Sequence, residues 1–451
     1  MSEPQQRLVG TCRHVSDVAK NILDWVGESG EIVSAERVAL LHEVYRTETT
    51  ASTLARALDE GPAVAIVGPS RSGKTQLLAG LVERDGGTVS IRFEGIREQV
   101  GLVKYLCPEG ARNDRSAVLR LTARPRAPSQ NFPVVVRLLS MSDLVKILGA
   151  MFLAGAEPRD LEPNVGRIDR AVAEARRRIT AEAVPGLAEE DIWDIRHYFT
   201  TRFGDQPLVR TLLTSGYWEN LTGIVSHLAN ADRARLLSVL WGGGDLFTNT
   251  FRELADAVSS LGCGREARCA LDSVLGLDSR TGRFQRRADS IISSATLNGL
   301  GQADAETLVV SNEHGQWVSL PRPVLTAVMA EIRLPVVDAG SELLERADLL
   351  EFPAIDGLNG DGHSMREIAR DPGQLGAVFM RAKASFLLER YTNEQSITAM
   401  AVCVDPGNPR LRELAGLVTT WVEKSHGPDP ASRERQANGL FVCLTKLDKE
   451  F

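Results

Sequence analysis

A chain of 451 residues that is 43% hydrophobic and 25% charged has ordinary soluble composition and room for two or three domains. Its formal charge of -7 argues against a general nucleic-acid binder, because gripping a phosphate backbone needs a basic surface. Six scattered cysteines exclude a disulfide-stapled scaffold and favour a reducing cytoplasm, and the lack of a signal-like leader or of ~18 consecutive apolar residues argues against a membrane span. Export by a machine that needs no cleavable signal stays open.

Residues 1–60 read as a helical segment. Val15, Val18, Ile22 and Val26 recur at helical spacing, and beyond Ser34, a good N-cap, Val38, Leu41 and Tyr45 do the same. Gly61-Pro62 breaks the pattern, and Ala63–Val67 is a short apolar run suited to a buried parallel strand. The first part of an α/β domain, residues 61–140, continues through a helix at 75–83 and a strand at 88–93. Strands at 118–122 and 132–139 follow, joined across a Pro-rich stretch as an expected hairpin. Residues 141–301 read as a helical insertion with helices at 167–183, 188–203 and 232–240, anchored by Trp193, Trp218 and Trp241. The Arg176-Arg177-Arg178 run predicts a solvated helix face, and the pair Cys263 and Cys269 lacks the spacing of a zinc site. Residues 302–451 return to strands at 307–337, 345–352, 396–404 and 439–444, with an amphipathic helix at 411–424. Strands and helices alternating at this pitch predict an α/β fold with a doubly wound sheet of the P-loop NTPase type.

Gly68-Pro69-Ser70-Arg71-Ser72-Gly73-Lys74-Thr75 matches G-x-x-x-x-G-K-[ST], which average composition produces in only about one or two of a hundred chains this long. The match follows an apolar strand and opens a helix, the context that phosphate binding requires. Gly68 and Gly73 let the backbone curl so that successive N–H groups point inward, and the helix aims its positive dipole end at the same anion. Lys74 would bring a point charge to the β- and γ-phosphates and Thr75 a hydroxyl to Mg²⁺. A glycine-rich turn that binds nothing is the competing interpretation.

Such a loop does not choose the base. Thr445-Lys446-Leu447-Asp448 fits the [NT]-K-x-D pattern of guanine readers, in which Asp448 accepts from the guanine N1–H and amino group while Lys446 lies along the base. Four loosely specified residues match by chance in about one chain in seven, so the weight rests on their place at the end of the last strand. Together the two motifs predict GTP and GDP as ligands, with ATP as the competitor. GTP-binding domains also carry an Asp-x-x-Gly at a strand end. Here the stretch is Glu351-Phe352-Pro353-Ala354, with a longer carboxylate and without the glycine's freedom. Glu351 is the expected metal ligand beside Thr75, and Asp348 and Asp356 are alternatives.

Five segments, in this order, are similar to the SrfC-like virulence effector family of bacteria. They are Val67-Gly68-Pro69-Ser70-Arg71-Ser72-Gly73-Lys74-Thr75, Pro108-Glu109-Gly110, Phe132-Pro133-Val134-Val135-Val136-Arg137-Leu138-Leu139-Ser140, Ala347-Asp348-Leu349-Leu350-Glu351-Phe352-Pro353 and Leu444-Thr445-Lys446-Leu447-Asp448-Lys449-Glu450-Phe451. The resemblance spans nearly the whole chain and implies a P-loop GTPase-like domain with a long helical insertion. It implies Asp-Phe-Pro-Gly where this chain has Glu351-Phe352-Pro353-Ala354, and a threonine-bearing switch where it has Asp114-Arg115-Ser116-Ala117. Ser116, or after it Thr122, then takes the switch role. Because the sequence stops three residues after Asp448, a truncated chain, a completing partner or second copy, and a shortened fold are all open. The expected protein binds GTP, with hydrolysis left open. Lys74, Arg71, Ser116 and Glu351 are its catalytic candidates, and charge stabilisation would come from Arg71, Arg115 or a partner. The alternative is a degenerate nucleotide-binding scaffold that recruits partner proteins through its helical insertion.

Overall fold

The computed structural model describes residues 3–28, 34–82, 90–93, 100–101, 115–124, 129, 131–157, 161–162, 164–277, 280, 284–302, 305–337, 341–357, 372–405 and 411–445. Helices α1 (Glu3–Glu28) and α2 (Ser34–Glu60) pack along each other, joined by Arg13 to Asp59 at 2.6 Å and Ser16 to Glu48 at 2.9 Å. The buried face of α1 is Val9, Cys12, Ser16, Ala19 and Val26. Of the four apolar positions expected to pack, only Val26 is buried, and Val15, Val18 and Ile22 face solvent. Small side chains at Cys12, Ser16 and Ala19 let α2 approach closely, which decides the face.

The strands in chain order are β1 (Ala63–Val67), β2 (Ser90–Ile91), β3 (Val100–Gly101), β4 (Val118–Thr122), β5 (Val134–Leu138), β6 (Glu266–Cys269), β7 (Leu275–Leu277), β8 (Phe284–Arg286), β9 (Thr307–Asn312), β10 (Trp317–Pro321), β11 (Met329–Val337), β12 (Asp348–Glu351), β13 (Ala399–Val404) and β14 (Leu440–Leu444). Twelve of them form a mixed sheet in the order β10-β9-β6-β5-β11-β4-β12-β1-β13-β14, with β2 and β3 attached through β11. The fold class is therefore mixed α/β. Strands β12, β1, β13 and β14 run parallel, so their C-terminal ends share one rim, and β4, antiparallel to β12, starts at that rim.

Two expectations about the sheet need correction. β4 and β5 are not a hairpin: β11 lies between them, parallel to β4 and antiparallel to β5. β11 supplies a central strand, buried from Met329 to Leu334, that lies some two hundred residues away in sequence and that a local turn could not reveal. Nor is 141–301 helical throughout, since β6 pairs β5 and β9 within the main sheet. The helices themselves are well founded. Helix α4 (Met141–Gly155) starts with Ser140 Oγ accepting from Asp143 N at 3.1 Å and Asp143 Oδ2 accepting from Ser140 N at 2.9 Å, a reciprocal cap. Helices Glu189–Phe203, Asp245–Ser260 and Leu375–Asn393 pack on α4, and Trp193, Trp218 and Trp241 are all buried. Arg176, Arg177 and Arg178 lie on the exposed side of their segment.

Charged groups cross the middle of the sheet. The Glu331 carboxylate, fully buried on β11, accepts from Arg120 Nε at 2.9 Å, Arg333 Nε at 2.6 Å and the Tyr391 hydroxyl at 2.5 Å. Arg120 also donates to Asp348 at 2.8 Å, and both arginines reach Glu60 at the end of α2. Burial and the Glu331 charge hold the Tyr391 phenol well above its ordinary range, so it stays a donor. Glu331→Ala would remove the fully buried carboxylate that two guanidinium groups and the Tyr391 hydroxyl share, leaving the arginines only Asp348 and Glu60, and is expected to lower the unfolding free energy by about 3 kcal/mol in urea titrations. Lys20→Ala, which removes an exposed ammonium 3.8 Å from the half-buried Glu48, should change it by less than ~1 kcal/mol.

Candidate functional site

Residues 68–75 leave the C-terminal end of β1 and enter α3 (Lys74–Val82). Ala65, Ile66 and Val67 are completely buried, and Leu78, Ala79 and Val82 hold α3 against the sheet, so both ends of the turn are fixed. Within the turn, Ser72 N donates to Pro69 O at 3.3 Å and Leu77 N to Gly73 O at 2.9 Å. Gly73 has φ +80°, the left-handed conformation that glycine adopts without penalty, and Arg71 has φ +61° with its side chain exposed. Gly68 is required by proximity, because a Cβ there would lie 2.7 Å from the Cys403 carbonyl oxygen and 2.5 Å from Ser72 Oγ. Burial pushes the Cys403 thiol up to about 12, so beneath the turn it is a packing atom rather than a nucleophile.

Lys74 folds back over this turn. Its ammonium donates to the carbonyls of Gly68 at 3.0 Å and Pro69 at 2.8 Å, and only 8% of the residue is exposed. Thr75 Oγ1 donates to Glu351 Oε1 at 2.5 Å. The register pairs Glu351 with Ile66 near the end of β1, which puts its carboxylate at the rim. Asp348 pairs instead with Ala63, at the other end of the strand, and its carboxylate is held by Arg120, so this alternative lies away from the turn. Asp356 does reach the turn: its Oδ1 accepts from Ser70 N at 2.9 Å, while Ile355 N donates to Gly68 O at 3.2 Å.

Arg115, expected from the sequence as a source of charge stabilisation, is placed here against Glu351, a pairing the sequence does not signal. Arg115 precedes β4 at the rim, and its Nε and Nη2 both lie 3.1 Å from Glu351 Oε2, with Nη2 3.5 Å from Thr75 Oγ1. Both partners of this ion pair are about 1% exposed. Ser116 is fully buried, its hydroxyl donating to the Ile291 carbonyl and its N–H to Ile292 O at 3.0 Å, so in this conformation it faces residues 291–292 and not the turn. Thr122, the second switch candidate, lies at the far end of β4. Thr445 closes the other side: its hydroxyl donates to Ser72 O at 2.8 Å and its N–H to Val404 O at 3.0 Å. Lys446, Leu447 and Asp448, like Asp114 and 108–110, lie outside the described residues. Among the described residues no group of three or more His, Cys, Asp or Glu could hold a metal, and no helix is long and apolar enough to cross a membrane.

Fold and site together define a mixed α/β protein with a glycine-lysine turn at the rim of a parallel strand set. Residues 22–451 match the family described as "Putative bacterial virulence factor", and the chain belongs to that family. No curated protein matches it.

Gly68→Ala is expected to destabilise the protein by about 1–3 kcal/mol, because the Cys403 backbone carbonyl, 2.7 Å from the new Cβ, cannot yield even if the Ser72 hydroxyl rotates away. Gly80→Ala, in α3 with nothing within 4 Å, should instead stabilise it by roughly 1 kcal/mol. Urea unfolding of the two variants tests whether backbone approach or helix propensity governs each glycine.

Proposed function

We propose that the protein binds a nucleoside triphosphate, GTP, in the turn 68–75. The observation that carries this is the seat of Lys74, whose ammonium is buried over the curled backbone and held by the carbonyls of Gly68 and Pro69. Burying an ammonium at a helix start has no packing purpose, whereas a cation seated over a strand-to-helix turn suits a polyphosphate. β12 and β13 flank β1 on opposite sides, so the turn opens where the strand order reverses, the crevice in which open α/β sheets take ligands. Thr445 against Ser72 supports guanine, because the remainder of its motif follows directly in sequence. The segments similar to SrfC-like effectors support the same ligand.

The same groups favour holding a nucleotide over fast hydrolysis. Ser116 is engaged by Ile291, Ala354 stands where the related pattern has glycine, and Glu351 is engaged by Thr75 and Arg115. A scaffold that recruits protein partners through the helices of 141–260 is therefore the second reading. Magnesium would need six oxygens at about 2.0–2.1 Å. As placed, Thr75 and Glu351 do not fit it, because they are hydrogen-bonded to each other and the second Glu351 oxygen holds a guanidinium.

Calorimetric titration is expected to show binding of GTP and GDP with little heat from ATP, and Lys74→Ala should weaken GTP by roughly ten- to a hundredfold. Equal affinity in wild type and Lys74→Ala would sink the proposal. A phosphate-release assay separates the two readings: no release over hours marks the scaffold, while a measurable rate lost in Arg71→Ala marks a GTPase.

A further inference from the structure

The position beside Thr75 and Glu351, where a nucleotide-bound divalent cation would be expected, already holds a positive group. The Arg115 guanidinium places two donors on one Glu351 oxygen and points one of them at the Thr75 hydroxyl, and both charged partners are excluded from solvent. Adjacent corners of a magnesium octahedron are about 2.9 Å apart, given metal–oxygen distances near 2.1 Å. The Thr75 and Glu351 oxygens are instead 2.5 Å apart and hydrogen-bonded to each other, an arrangement unlike two ligands of one magnesium.

Nor is Arg115 a side chain that swings in by accident. Its backbone bridges Ser293, and the next residue is tied to Ile291 and Ile292, both buried. The arginine is thus held at the backbone by 291–293 and at the guanidinium by Glu351. Glutamate in place of aspartate has a physical purpose here: the extra methylene lets one carboxylate reach the Thr75 hydroxyl directly while its other oxygen takes Arg115. A planar guanidinium keeps its charge at every physiological pH and is weakly hydrated, which suits it to a dry site next to phosphate.

We propose that Arg115 supplies, from within the chain, the positive charge that a divalent metal would bring to the bound triphosphate, so that this protein binds its nucleotide without metal. This rests on the nucleotide-binding reading above. The two fail separately: no binding in any buffer sinks both, while binding that needs magnesium sinks only the role of Arg115.

The test is titration of a fluorescent GTP analogue in excess Mg²⁺ and in EDTA, with wild type, Arg115→Gln and the double variant Arg115→Gln/Glu351→Gln. Wild-type affinity is expected to agree within about threefold between the two buffers, whereas Arg115→Gln loses at least about tenfold in EDTA and regains most of it with Mg²⁺. The double variant removes both buried charges and guards against a single variant that fails to fold; it should bind weakly in EDTA as well. A wild type that loses tenfold or more in EDTA overturns the inference whatever the variants do.

Discussion

The Glu351 carboxylate is the contact on which the rim of this molecule depends. One oxygen takes the hydroxyl that opens α3, and the other takes the guanidinium that precedes β4. Three segments remote in sequence are thereby fixed at one point beside β1. A carboxylate this deeply buried is tolerable only while both partners are present, since a lone buried charge is far more expensive than a paired one. The turn is consequently held from below as well as from its own backbone. It is bounded by Cys403 under Gly68, Thr445 beside Ser72 and Asp356 on Ser70, so its shape is set by contacts with three other strand ends.

What the sequence made legible follows from range. β1, the turn and α3 are local: an apolar pentapeptide, spaced glycines and a helical leucine pattern suffice. The register that brings Glu351 to the rim and sends Asp348 to the opposite end is not local, and three residues along one strand separate a site residue from a structural one. Arg115 was a candidate from its place in the switch stretch, but its pairing with Glu351 gave no signal, because a buried ion pair is a property of the assembled fold. The supposed β4–β5 hairpin failed for a similar reason, its real partner β11 coming some two hundred residues later. β6 was hidden inside a helical stretch because its strict alternation of charged and apolar residues lasts only four positions, too few to be told from a turn. On α1 the larger apolar residues misled, as close approach selected the small ones.

Membership of the virulence-factor family does not itself specify a chemistry. Were the rim to hold a nucleotide as proposed, without fast turnover, its occupancy would add to the stability of the folded chain through mass action. The segments that carry Trp193 and Trp241 pack on α4, which begins directly after β5, so they are tied to the sheet through that helix.

The placement of β1 has a further consequence for how the chain is made. Its neighbours begin at residues 348 and 399, so an apolar strand and its turn leave the ribosome long before anything can pair with them. High contact order of this kind slows folding and exposes sticky intermediates. The capped helix at Met141 and the tryptophan-anchored helices after it can form meanwhile from nearby contacts. Synthesis would thus deliver a helical body first and complete the sheet last, leaving the nascent first strand dependent on chaperones for most of translation.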